Sequence, residues 1–185
     1  LRLGGGVRSI ELAQLPNNKH VANIRINTAD AMGANVANST AERLARQIGR
    51  VIKAEPLAAI LSNYSSGSLV TARCCVSMES LANGSRDGKN VARRIVDLSQ
   101  WAKVDPGRAV THNKGIFNGM DSVVVATGND WRAVEAAGHF HASQKGSYQP
   151  LSQWRMKSVN GENVLSGKLE TSLRVGTHGG VTEER

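Results

Sequence analysis

The sequence predicts an α+β fold, in which an antiparallel sheet with helices on one face is followed by the start of a second domain at Asp105 and Pro106. Three features carry this expectation. Short β-rich segments come in pairs around turn residues, two longer stretches repeat apolar residues at helical spacing, and the two patterns alternate up to residue 104.

In chain order, residues 8–15 read as a strand, the NNK of residues 17–19 as a turn, and residues 20–27, with Val21, Ile24 and Ile26, as a second strand of a hairpin. A helix is expected from Met32, with Val36, Leu44, Ile48, Val51 and Ile52 on one face and Pro56 as its stop. Residues 57–61 form a short apolar run and residues 69–78 a β-branched one, so the turn-rich residues 63–68 between them predict a second hairpin. Val91, Ile95, Leu98 and Ala102 fall at i, i+4, i+7 and i+11, the mark of a second amphipathic helix ending near Asp105. Residues 122–128 suit a strand by propensity, yet Val123, Val124, Thr127, Trp131, Val134 and Gly138 also fit one helical face, and periodicity leaves both open. Residues 151–157 and 164–175 flank Asn160 and Gly161, which both tolerate positive φ and so signal a hairpin.

Composition excludes several functions. At 185 residues and 40% hydrophobic, the chain can bury a core. No apolar run approaches the roughly 18 residues of a membrane span and no signal-peptide centre occurs, so a soluble, cytoplasmic protein is expected. The chain begins without methionine and ends in TEER after a glycine turn, which reads as a piece of a longer protein. Cys74 and Cys75 are neighbours on opposite faces of a strand, which suits neither a disulfide framework nor a zinc site. His139 and His141 diverge on a helix, so no metal is expected. The net charge of +8 resides largely in Arg43, Arg46, Arg50 and Lys53 and in Lys89, Arg93 and Arg94, which recur at helical spacing as solvated faces. With 4% aromatics there is no interleaved basic and aromatic stretch, and nucleic acid is not an expected partner.

Two motifs carry chemistry. DAMGAN, at residues 30–35, leads a strand into a helix through Gly33, where backbone N–H groups and the helix dipole suit a phosphate. Asp30 could equally be an N-cap. The second block, RAVTHNKGIFNGMDSVVVATGND, sets Lys114 among hydroxyl and amide side chains and ends on Asp130. A lysine can neutralise negative charge developing on a carbonyl oxygen and donate a proton, while a carboxylate can orient it.

These two segments, with ILSNYSS at residues 60–66, closely resemble the class II, bacterial-type 3-hydroxy-3-methylglutaryl-CoA (HMG-CoA) reductases. The resemblance implies a two-step reduction of HMG-CoA by NADH or NADPH, through a mevaldehyde stage, to mevalonate and free CoA, or the reverse, within isoprenoid biosynthesis. It implies a small ferredoxin-like, NAD(P)-binding domain over residues 1–104. Residues 105–185 would be part of a larger α/β substrate domain with a central buried helix. Asp30, Met32, Gly33 and Asn35 match the family's cofactor motif letter for letter, and Asn63 lies in a second cofactor segment. Lys114 and Asp130 fall at the catalytic lysine and aspartate, and Arg108, Thr111 and Asn118 where the substrate is held. His112 lies in the motif and reads as structural. A homodimer or higher homo-oligomer is implied, with no membrane partner.

The family's glutamate near an ENxIG motif and its C-terminal histidine are absent, and HGGVTEE stands where VGGxTK is usual. The alternative is therefore a non-catalytic fragment that folds and binds dinucleotide. Sixteen residues of straight helix would part Lys114 from Asp130 by about 24 Å. If both act in one site, the chain must double back, and Gly115 and Gly119 are the expected pivots.

Overall fold

The computed structural model describes residues 4–65 and 67–180; the acidic residues of the HGGVTEE departure lie outside them. The architecture is α+β, and the chain divides into two compact units. The first holds the described parts of residues 1–62, 126–130 and 175–185, and the second those of residues 63–125 and 131–174.

In the first unit, β1 (Gly6–Leu15) and β2 (Lys19–Asn27) form the expected hairpin, closing at the Leu15 and Lys19 pair. Asn17 and Asn18 supply the positive φ angles of its turn, 61° and 55°. Helix α1 (Ala34–Ile52) follows. It ends where Lys53 turns left-handed (φ 54°) and Ala54 N–H donates to Gly49 O at 3.0 Å, three residues before Pro56 forbids continuation. Its apolar face is present, but none of its residues is buried, and Val51 and Ile52 are 82% and 63% exposed. The pattern says which face is apolar, not whether the described residues cover it.

The expected strand at residues 57–61 does not form. Leu57 and Ile60 are exposed, and Leu61 N–H donates to Asn38 Oδ1 of α1 at 2.8 Å instead of to a neighbouring strand. The second hairpin is corrected with it. In the second unit, β3 (Leu69–Ser77) pairs antiparallel with β5 (Glu162–Ser172), from Leu69 opposite Ser172 to Ser77 opposite Val164. The partner of β3 thus comes from the far end of the chain. Strand β4 (Ser152–Val159) flanks β5 on its other edge, giving the order β3-β5-β4. The β4–β5 turn is the expected two-residue one, with Asn160 and Gly161 at φ 51° and 83°.

Helix α2 (Gly88–Val104) is capped by Asp87, whose carboxylate accepts from Asn90 N–H. It packs on β4, where Ser99 Oγ accepts from Trp154 N–H at 3.1 Å, and it buries Ala92 and Ala102. Asp105 joins it to α3 (Pro106–Ala126). Its carboxylate accepts from Gly107 N–H (2.8 Å), Arg108 N–H (3.2 Å) and Trp101 Nε1–H (2.9 Å), with Pro106 as the first helical residue. Those donors, the Arg108 N–H foremost, hold the Asp105 carboxyl below its usual value.

The ambiguous residues 122–128 are helical to Ala126. The chain then turns at Gly128 (φ 68°) and enters α4 (Trp131–Ser143). Gly115 and Gly119 are no pivots: both lie inside α3, and the break falls after Ala126. Phe117, Val124, Val134, Ala142 and Leu151 form the core of this unit. Gly138 is required there, because a Cβ would lie 2.6 Å from Phe117 Cζ.

Candidate active site

The DAMGAN loop belongs to the first unit. Thr28 Oγ1 donates to Ala31 O and Ala31 N–H to Thr28 O, which folds residues 28–31 into a turn. Ala29 (φ 52°) and Gly33 (φ 89°) adopt left-handed backbone. Gly33, not Asp30, is the N-cap of α1. A Cβ there would lie 2.4 Å from Thr28 Cγ2, so the loop can close this tightly only on glycine. The helix has no side-chain cap hydrogen bond, and its first turn carries no acidic residue that would offset the positive end of its dipole. Asp30 and Asn35 are exposed, and Met32 is half-buried.

The same unit ties the turn that carries Asp130 to this loop through a third segment, residues 176–180. Thr177 N–H donates to Asp30 O at 3.1 Å, and Gly180 N–H to Gly128 O at 2.7 Å. Buried Asn129 accepts from Gly176 N–H at 2.8 Å. A Cβ on Gly176 would lie 2.6 Å from Met32 N, and one on Gly179 2.7 Å from Thr127 O. Both glycines permit backbone to lie on backbone.

The remaining candidates belong to the second unit. Each helical residue turns about 100°. Ala109, Asn113, Phe117 and Val124 therefore share one side of α3, and all are buried. Arg108, Thr111, Lys114 and Asn118 share the opposite side; Thr111, Lys114 and Asn118 are exposed and Arg108 is half-buried. Gly115 and Gly119 lie among them with open space where a Cβ would be. The Arg108 guanidinium stands 5.8 Å from the centre of the Trp101 ring, a cation–π contact. The four expected substrate and catalytic residues of α3 are thus gathered on one solvent-facing stripe. Asn63 is assigned to this unit, and the DAMGAN loop with which the sequence grouped it to the first.

Other titratable groups are tied into the fold. His112 shares a 2.8 Å hydrogen bond with Ser152 Oγ, and burial, then the charge of Arg108, pushes its pKa down. Burial and the neighbouring Glu135 push Asp121 up. His139 Nδ1 meets Tyr148 OH at 2.6 Å. Among the described residues no cluster of His, Cys, Asp or Glu could hold a metal.

Two asparagines inside the motifs were missed from sequence. Fully buried Asn113 donates to Gln149 O (2.9 Å) and accepts from Leu151 N–H (2.8 Å). Asn129 plays the comparable part in the first unit. The one available signal was position: Asn113 lies four residues before Phe117, on the apolar side of the helix.

The fold and these residues define an α+β protein with an anion-receptive helix start in one unit and a basic, polar helix face in the other. Residues 2–185 match the model of the hydroxymethylglutaryl-coenzyme A reductase family. A probable 3-hydroxy-3-methylglutaryl-coenzyme A reductase of Borreliella burgdorferi is 41% identical over 96% of this chain and 41% of its own length. The Archaeoglobus fulgidus reductase is 33% identical over 99% of this chain and 41% of its own. Among solved structures, the Streptococcus pneumoniae reductase superposes with a TM-score of 0.80 at 41% identity, over 97% of this chain and 48% of that one. A class II reductase from that organism, bound to NADPH in open conformations, gives 0.79 at 41% identity, over 97% of this chain and 43% of that one. The chain belongs to the hydroxymethylglutaryl-coenzyme A reductase family. It spans about two fifths of the length of the curated relatives it matches.

Proposed function

We propose that this chain is the central part of a class II HMG-CoA reductase, which interconverts HMG-CoA and mevalonate with a nicotinamide dinucleotide, NAD or NADP. The single observation that carries the reading is the α3 stripe. One helix face presents Lys114 with Arg108, Thr111 and Asn118, residue types that suit a thioester bearing a carboxylate. Arg108 would pair with the substrate carboxylate, and Thr111 and Asn118 would hydrogen-bond its polar groups. Lys114 would meet the negative charge that forms on the carbonyl oxygen at each reduction and supply a proton, with Asp130 holding that lysine oriented.

The dinucleotide would supply hydride. Its phosphates suit the glycine-capped start of α1, where Asp30, Met32, Gly33 and Asn35 would hold it, with Asn63 as a further contact. Residues 1–104 would serve the cofactor and residues 105–185 the substrate. The reading includes a cytoplasmic homo-oligomer acting in isoprenoid metabolism.

The test is mevalonate-dependent reduction of NAD and of NADP in the presence of CoA, by the full-length protein and its Lys114→Ala variant. Loss of turnover on the order of 100-fold or more, with cofactor affinity retained, is expected. Substantial remaining turnover refutes the role of Lys114. A second reading, a chain that binds dinucleotide without turnover, is favoured for these residues alone because they span two fifths of the relatives. Activity of the 185-residue chain by itself would refute it.

A further inference from the structure

We propose that Asn129 is a positioning residue that fixes the Asp130 carboxylate relative to the DAMGAN loop, through the backbone of Gly176. The inference rests on the reading of Asp130 as catalytic and of residues 30–35 as cofactor-binding.

An asparagine side chain carries an acceptor and a donor in one plane, as a peptide group does. Here Oδ1 accepts from Gly176 N–H at 2.8 Å, and Nδ2 donates toward Gly176 O at 3.4 Å. Asn129 thus pairs with both polar groups of one residue, as an adjacent strand would. The donor also reaches Thr127 Oγ1 at 3.1 Å and Thr127 O at 3.3 Å, which stiffens the turn that carries Asp130. An amide serving only its own turn would bond only within it, whereas this one reaches 47 residues along the chain and is only 9% exposed.

Beyond Gly176 the linkage continues without an intervening side chain. A Cβ on Gly176 would lie 2.6 Å from Met32 N, so its backbone rests directly on the DAMGAN loop, and the next residue, Thr177, donates to Asp30 O. Asp130, Asn129, Gly176 and Met32 therefore form one short run of backbone and amide contacts. The links run through backbone and a single short amide, so no long side chain lies between them to absorb a displacement. A shift at Asn129 passes to the aspartate and the cofactor loop alike, and misplacement of a catalytic group by about 1 Å costs on the order of 100-fold in rate.

The test uses the full-length protein and Asn129→Asp, which keeps the shape and the acceptor but loses every donated bond and sets a carboxylate against the Gly176 and Thr127 oxygens. The expected result is a kcat lower by on the order of 100-fold, a KM for HMG-CoA within about threefold, and no further loss when the substitution is added to Asp130→Asn. Should Asn129→Asp fail to fold, Asn129→Ser, which keeps a donor and an acceptor on a shorter side chain, is put to the same measurements. A kcat near wild type, a parallel change in kcat and KM, or an additional full loss in the Asp130→Asn background overturns the inference. Turnover that survives Asp130→Asn refutes the underlying reading instead. Turnover lost in that variant but kept in Asn129→Asp refutes only the linkage.

Discussion

Replacing Asn113 by alanine is expected to destabilise the second unit by about 3 kcal/mol, although the residue stands next to the lysine in the motif read for catalysis. Asn113 is fully buried and makes two hydrogen bonds to the backbone of residues 149 and 151. Alanine leaves both backbone groups without that partner. The Leu151 N–H lies in the core and costs about 2 kcal/mol, while the half-buried Gln149 carbonyl, which water can reach, costs about 1. For a chain of this size, that lowers the melting temperature by about 6–12 °C.

Asn113→Asp sharpens the test. It keeps the acceptor for Leu151 N–H but faces the Gln149 carbonyl with a buried carboxylate, whose folded pKa must rise. Stability is then fully present below the unfolded pKa and lost as pH rises through the folded value, because only the protonated acid can donate to Gln149 O. Urea denaturation of the three proteins from acid to neutral pH measures both effects. An Asn113→Ala protein within about 0.5 kcal/mol of wild type, or an Asn113→Asp protein whose deficit does not shrink in acid, would refute the assignment of this side chain to the fold.

Two further outcomes are expected. Gly33→Val forces a left-handed residue and a clash with Thr28; cofactor dissociation constants should rise by about tenfold or more while the melting temperature moves only a few degrees, and equal loss of both would make Gly33 purely structural. Asp121, raised by burial first and by Glu135 second, with His139 opposing, contributes stability below its unfolded pKa that is lost as pH rises through the folded value. Asp121→Asn, which donates to Glu135 without charge, should therefore be more stable than wild type at neutral pH and level with it in acid, as read by urea midpoints; the reverse order would refute the shift.

Local signals read well where local physics decides. Asn160 and Gly161 announced their turn because both accept positive φ, and α2 followed from apolar spacing, its Asp87 cap appearing only in the structure. The candidate residues of α3 were named singly. That Arg108, Thr111, Lys114 and Asn118 form one face needed the knowledge that residues 106–126 are one helix, which β-branched Val123, Val124 and Val125 obscured. The apolar run at residues 57–61 was expected to pair with β3, which pairs with β5 instead, and its Leu61 N–H is taken up by the Asn38 side chain of α1.

By itself, then, the sequence determined α1, α2 and the hairpin turns at residues 17–18 and 160–161, the apolar side of those two helices and the two motifs, because these depend on neighbours a few residues apart. Tertiary structure alone decided that β3 pairs with β5, that Asn113 and Asn129 are buried braces, and that residues 176–180 join the DAMGAN loop to the turn bearing Asp130. The reason is physical: a buried amide or a strand edge is satisfied by whichever distant backbone packing brings within about 3 Å, and no local periodicity encodes that partner.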